Sequence, residues 1–324
     1  MKFSETQIKR SILKNIPKTT HSNLIKAGIG CDYARLLLND TDRQTQEMAV
    51  AEGICVAKED ADIEYALIKL YNNLRVGCYM PFAITNSILM PSDDEKHMKK
   101  LLIMLCKVAK EYGMDVIAGH TEISEAVNKP IITMTVIGSK ACSMRPFDHL
   151  LIKPGMDIVM TGQTGVMGTV KLLNANHEGL RTRYSETYLG GAQRLVSQMA
   201  LTRESDIAME CGAVYSHDIS TGGVYAALWE LADAADVGID ICHDNIPILQ
   251  ETIEICEYTD HNPYMIDGSG AALFVCADGA KLSDSLYCAG YEAAVIGTVI
   301  SGKDRTITHE DERRFLNTPR YGEI

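Results

Sequence analysis

The chain has 324 residues, 46% of them apolar, and its 31 Lys and Arg against 43 Asp and Glu leave a formal charge of −12. That acidic balance argues against a nucleic-acid-binding surface, which needs clustered positive charge. The ordinary apolar content excludes disordered and fibrous classes. At roughly 150 residues per domain the length predicts two domains.

Ten cysteines, none spaced as Cys-x-x-Cys, argue against a zinc ribbon or a thioredoxin-type motif. They read as small buried side chains in a reducing compartment. The first residues lack the apolar run of a secretory signal, and no stretch approaches the roughly 18 apolar residues that span a bilayer. A soluble cytoplasmic protein without a membrane partner is expected.

In chain order, residues 4–16 predict an amphipathic helix, with a capping-box pair at Ser4 and Gln7, Ile8, Ile12 and Ile16 at four-residue steps, and Pro17 as its stop. A glycine turn at 26–32 leads into a strand at 33–38. A second strand, 48–57, carries one acid, Glu52. Ile63, Leu67 and Leu70 mark a helix over 61–75, and 82–90 reads as a strand ended by Pro91. Asp93 and Asp94 open a helix whose stripe runs from Met98 to Ala109 and which Gly113 closes. Strands at 115–118 and 131–137 flank a polar turn. Two prolines and a glycine at 145–155 place the boundary between domains 1–147 and 148–324.

The second half restarts with a strand at 157–161, a glycine turn at 162–168 and a helix through Leu173. A charged helical region covers about 186–210. A helix begins near Gly222, with Val224, Ala227, Leu228, Leu231, Ala232 and Ala235 on its apolar face. Strands at 238–241, 271–276 and 293–299 and a charged, turn-rich tail complete an α/β or α+β pattern.

Four constellations carry candidate chemistry. His217-Asp218-Ile219-Ser220-Thr221-Gly222-Gly223 sits at the mouth of a helix. Unpaired amides, the positive dipole end and two glycines would there admit an anion, while Asp218 would hold a metal or orient a nucleophile. Simple helix capping with tight packing is the equal alternative. Gly119-His120-Thr121-Glu122 follows a strand; His120 is a candidate base or phosphate contact and Glu122 a Mg²⁺ ligand, against a solvated turn. Asp32 and Glu52 are acids amid apolar neighbours, which calls for an ion pair or a metal. Asn72 and Asn73 close a helix, as amide ligands or as caps. The turn at 162–168 is not a P-loop, because no Gly-Lys-Ser/Thr follows it.

In order and spacing these segments resemble the aminoimidazole-ribonucleotide-synthase superfamily, over nearly the whole chain. The family includes that purine enzyme, a hydrogenase-maturation dehydratase, selenophosphate synthetase and thiamine monophosphate kinase. YNNLRVGCYMP resembles its V-N-D-L-A-x-x-G-A-x-P stretch, AGHTEIS its G-G-x-T element, and SHDISTGG its H-D-x-T-x-G-G helix start, the most specific match. IKPGMDIVMTGQTGVMG and IDGSGAALFVCA resemble later elements. The hydrogenase-maturation-like and uncharacterised synthase-related branches are the most similar.

The resemblance implies a two-domain fold whose N-terminal sheets pair across a homodimer into a barrel-like core, with a C-terminal α/β sandwich. It implies ATP and Mg²⁺ as cofactors and phosphorylation of a small metabolite through an acyl- or imidoyl-phosphate-type step. Asp32, Glu52 and Glu122 would hold the metal; Asn72 or Asn73, Gly119 and Thr121 would line the nucleotide groove. Ser220, Thr221, Gly222 and Gly223 would cradle a phosphate, with Asp218 and His120 catalytic. Three departures stand out. Asn73 occupies a position where the family commonly has a metal-binding aspartate. His120 stands where other branches carry an acid. The chain ends in TPRYGEI without the terminal cysteine of the hydrogenase-maturation enzyme. A degenerate nucleotide-binding or regulatory protein, or an accessory in metalloenzyme maturation, is the alternative.

Overall fold

The structure is a computed structural model that describes residues 8–12, 14, 24–25, 32–38, 46–141, 146–310 and 312–319. The chain forms two compact units that divide between Arg145 and Pro146. The segment Ile8–Ile12 groups with the C-terminal unit. The Lys9 ammonium there forms an ion pair with Asp233. That segment is a short π-type turn; the rest of the helix expected over 4–16, apart from Lys14, lies outside the described residues.

The N-terminal unit is one six-stranded sheet with two helices. Its strands are β1 (Leu24–Ile25), β2 (Ala34–Leu38), β3 (Gln46–Val56), β4 (Met80–Met90), β5 (Asp115–Ile123) and β6 (Ile131–Ala141), in the spatial order β1-β2-β3-β6-β4-β5. Only β4 and β5 are parallel, a pairing that needs a long crossover. Helix α2 (Glu95–Glu111) supplies it, started by the Asp94 carboxylate, which accepts from the His97 N–H at 2.9 Å. Helix α1 (Asp60–Arg75) starts with a reciprocal capping box between Glu59 and Asp62. Ile63, Leu67, Leu70 and Leu74 of α1 and Leu101 and Leu105 of α2 are buried, as are Ala51, Ile84, Ile88, Ile132, Met134 and Val136 of the sheet. Burial alternates along β3 and β4, so the second face of the sheet is left open, with Ile54 and Val56 of β3 and Met80 and Phe82 of β4 exposed.

At one end of this sheet lies a buried charged cluster. Tyr79 Oη donates to Glu47 Oε1 at 2.6 Å, Arg35 Nη1 lies 3.4 Å from the same oxygen, and Lys140 Nζ is 3.7 Å from Glu47 Oε2 and 4.4 Å from the Tyr79 ring centre. Burial pushes the Lys140 ammonium below its ordinary range, against the pull of Glu47. Glu47→Gln keeps an acceptor for Tyr79 and removes the carboxylate beside Lys140, at an expected cost of about 2 kcal/mol near pH 7. Between the lowered native value and the unfolded 10.5, the unfolded chain binds the extra proton, so stability rises with pH. The variant lowers the native value further. Its deficit, read from urea unfolding, therefore shrinks as the pH rises toward 10.5.

The C-terminal unit is built on a seven-stranded sheet: β7 (Asp157–Thr161), β8 (Tyr215–Ile219), β9 (Gly238–Cys242), β10 (Ala271–Cys276), β11 (Ala293–Ile300), β12 (Arg305–His309) and β13 (Glu312–Phe315). The order is β13-β12-β9-β11-β7-β10-β8, and only β9 and β12 run parallel. Strand β10 is buried at all six residues, hence its unbroken apolar run. Helix α3 (Val166–Leu180) is longer than expected. The charged region at 186–210 breaks into α4 (Glu186–Gln193), a 3₁₀ turn at Arg194–Gln198 and α5 (Glu204–Glu210). Helix α6 (Gly223–Ala235) buries Val224, Ala227, Leu228 and Leu231 in one core with Ile158, Met160, Ile239 and Leu273. Helix α7 (Gln250–Thr259) joins α3 and α4 in a second core through Ile255, Leu172, Leu173 and Leu189. Helix α8 (Gly279–Cys288) packs on the sheet. Among the described cysteines, Cys55, Cys78, Cys256 and Cys276 are buried as expected, whereas Cys106 and Cys288 are exposed. No described helix is long and apolar enough to cross a membrane.

Candidate functional site

The turn from β8 into α6 gathers Asp218, Ser220, Thr221, Gly222 and Gly223. Every residue of β8 is buried, including His217 and Asp218. A buried imidazole needs a partner, and His217 Nε2 meets Glu230 Oε2 at 2.8 Å. Glu230 lies two helical turns after Gly223, which returns it to the face that meets β8. Ser220 and Thr221 are half-buried. Gly222 caps the helix at φ +92°, and Gly223 follows at φ +67°, backbone that favours glycine.

The two glycines do different work. A Cβ at Gly223 would lie 2.4 Å from the Tyr264 carbonyl oxygen and 2.7 Å from that of Ile266, and its N–H donates to the Ser220 carbonyl at 3.0 Å. Its amide is thus occupied within the turn, and the glycine allows close backbone packing. The expectation that Gly223 offers a bare amide to an anion is corrected on that ground. Gly222 instead lines a cavity of about 600 Å³, whose wall includes Tyr225, Asn262, Met265, Ile307 and Arg314. That volume suits a small molecule. The rings of Tyr225 and Tyr264 stack at 5.4 Å, and Arg314 Nη2 reaches Tyr225 Oη at 3.5 Å. Burial raises the Tyr225 hydroxyl above its ordinary range, with Arg314 pulling the other way.

A residue that sequence reasoning missed ties this region together. Asp267 is buried; its Oδ2 accepts from Lys171 Nζ at 3.0 Å, and its Oδ1 accepts from the Ser269 hydroxyl at 2.8 Å and the Ser269 N–H at 3.2 Å. Its carbonyl accepts from the Gly168 N–H, and the Gly268 N–H donates to Ser220. The loop at 262–270 therefore braces both the β7–α3 and the β8–α6 turns. The acid inside Ile266-Asp267-Gly268-Ser269-Gly270 was the available signal.

In the N-terminal unit, Gly119, His120, Thr121 and Glu122 lie on β5, which continues to Ile123 where a polar turn was expected. Backbone bonding to β4 extends this edge strand although almost all of it is exposed. His120 Nε2 lies 3.3 Å from Glu122 Oε2, both side chains in solvent. The Asn86 amide packs over Gly119. Asn72 is buried and Asn73 half-buried, so of the two only Asn73 is partly open to solvent. Asp32 is half-buried ahead of β2 and Glu52 is exposed on β3. The register sets Glu52 level with Ala118, three strands across from β5 and four residues short of Glu122. At about 4.8 Å per strand the two acids of one chain stand well over 10 Å apart, so within one chain they do not share an ion.

This architecture defines the class. Residues 153–310 match the AIR synthase related protein, C-terminal domain, and residues 64–139 the corresponding N-terminal domain, together well over half the chain. The chain belongs to the AIR synthase related family. It is 24% identical over 282 residues to a Methanocaldococcus jannaschii protein named for hydrogenase expression and formation, covering 83% of this chain and 78% of that one. It is 27% identical over 239 residues to the thiamine-monophosphate kinase of Pyrococcus horikoshii, covering 73% and 71%. The fold matches the crystal structure of the hydrogenase maturation protein HypE in complex with ATP, with a TM-score of 0.70 at 17% identity over 88% of each chain.

Proposed function

We propose that this chain is an ATP- and Mg²⁺-dependent enzyme that phosphorylates a small metabolite through an acyl- or imidoyl-phosphate-type step. One observation carries the reading: the β8–α6 turn, where buried Asp218 leads through two hydroxyl residues to Gly222 on the wall of a cavity of about 600 Å³. A kinase relative and a structural neighbour solved with ATP support it. Ser220 and Thr221 offer hydroxyl donors to a phosphate, and Asp218 orients the nucleophile and receives its proton. On β5, Gly119 and Thr121 line the nucleotide, with His120 as base or phosphate contact. The carboxylates of Asp32, Glu52 and Glu122 suit hard cations that take oxygen ligands, with Glu52 and Glu122 of one chain on separate ions. Mg²⁺ held by these carboxylates would supply charge compensation to a transferring phosphoryl group.

The same reading makes the chain a homodimer through the open face of the N-terminal sheet. Ile54 is 66% exposed there, and two such sheets laid face to face form the barrel-like core. Light scattering at micromolar concentration tests this; a monomer overturns it.

A second reading, a nucleotide-binding regulator without turnover, is favoured by Asn73, a neutral amide at the family's metal-binding aspartate position. Calorimetric titration with ATP and Mg²⁺ is expected to give binding below millimolar nucleotide, and no binding overturns both readings. ATP turnover then separates them. Asn73→Asp adds a hard ligand and is expected to strengthen Mg²⁺ binding about tenfold.

A further inference from the structure

We propose that His243, Asp244 and His309 of the C-terminal unit bind one divalent transition-metal ion of the zinc class at the turn end of the β12–β13 hairpin. None of the three ligands belongs to the residues of the nucleotide reading.

Register brings the three together. Strand β9 ends at Cys242, and a 3₁₀ turn, His243–Asn245, follows at once. Strand β12 runs parallel beside β9, with Thr308 opposite Cys242, so the next residue, His309, emerges beside His243. One donor atom from each of His243, Asp244 and His309 lies within 4.8 Å of the other two. Two imidazole nitrogens and a carboxylate oxygen, with a further position for water, form the ligand set of an open zinc site. Imidazole donors disfavour hard Mg²⁺ and Ca²⁺.

The surroundings anchor the turn that carries His243 and Asp244. Asp244 pairs through Oδ1 with His309 Nδ1, and its Oδ2 accepts from the Glu310 N–H at 3.3 Å. Asn245 Nδ2 donates to the Val295 carbonyl at 3.0 Å and anchors the turn. The Tyr264 ring packs on His243 at 4.5 Å, and the two imidazoles lie 5.1 Å apart. Tetrahedral bonds of about 2.1 Å place ligands about 3.4 Å apart. Both side chains are exposed, so metal binding would replace the direct Asp244–His309 contact by rotation of the two side chains to that spacing.

The ion would fasten the hairpin to the turn after β9. Strand β13 carries Arg314 and Phe315 into the cavity wall beside Gly222, so metal occupancy orders one side of the cavity.

The test uses the full chain, metal-stripped, with Zn²⁺ measured in competition with a chromophoric chelator and Co²⁺ as a spectroscopic probe. The expected result is one equivalent bound, a cobalt spectrum without a thiolate charge-transfer band, and at least about tenfold weaker binding in both His309→Ala and Asp244→Asn. Zn²⁺ is expected to raise the melting temperature of the parent chain but not of His309→Ala. His309→Gln stands in if the alanine variant fails to fold. No zinc bound, unchanged affinity in the variants, or a thiolate band that assigns the ion to cysteines would each overturn the proposal.

Discussion

Gly223→Ala is expected to lower the melting temperature by about 10 °C. Two costs add. At φ +67° any Cβ carries backbone strain of about 1–2 kcal/mol. The Cβ would also stand 2.4 and 2.7 Å from two carbonyl oxygens of the segment Tyr264–Ile266, and neither is the movable end of a side chain. Relieving an overpacked contact of that kind costs about another 1–3 kcal/mol. The sum is roughly 3–4 kcal/mol, and a unit of 150–250 residues shifts by about 2–4 °C per kcal/mol. Gly212→Ala is the control: Gly212 also has positive φ, +86°, but its Cβ would meet open space. That variant carries the strain alone, about a third of the loss. Calorimetry on both separates packing from backbone conformation. Equal losses would mean that the Tyr264–Ile266 backbone does not press on Gly223.

Much of the scaffold could be read in advance because its signals are local. The stripe from Met98 to Ala109 predicted α2, and the apolar runs predicted β7 and β10. Strand β8 was missed because its burial includes His217 and Asp218, and its imidazole finds Glu230 only once α6 folds back. Edge strand β5 was cut short at Ala118 because its remaining residues are polar, and hydrogen bonding to β4 decides their conformation. Helices α7 and α8 and the β12–β13 hairpin were hidden among charged and turn-rich residues. The burial of Asn72 was legible: it follows Ile68 by four residues, so helical phase alone turns it toward the core. Other features were not. The separate duties of Gly222 and Gly223 depend on a backbone some forty residues downstream, and the cavity wall is completed by the tail from Arg314 onward.

The site residue whose substitution should cost most in turnover is Asp218. Asp218→Asn keeps volume and shape at a position that is 4% exposed, removes one negative charge and replaces an acceptor-only oxygen with an amide donor. Asn keeps one acceptor oxygen and the side-chain shape, so the fold is expected to hold; the melting temperature should stay within about 3 °C of the parent. Turnover should behave otherwise. If Asp218 orients the nucleophile and takes up its proton, an amide does neither, and general-base catalysis is worth about 10²–10⁴-fold. The expected result is therefore a fall in ATP-dependent turnover of at least about 100-fold, with nucleotide binding by calorimetry changed by less than about threefold, because an interaction made only in the transition state lowers kcat and kcat/KM together. Loss of nucleotide binding in the same proportion would make Asp218 a binding group instead. A large drop in melting temperature would place it, with His217 and Glu230, among the groups that hold β8 against α6 and leave the chemistry to other residues.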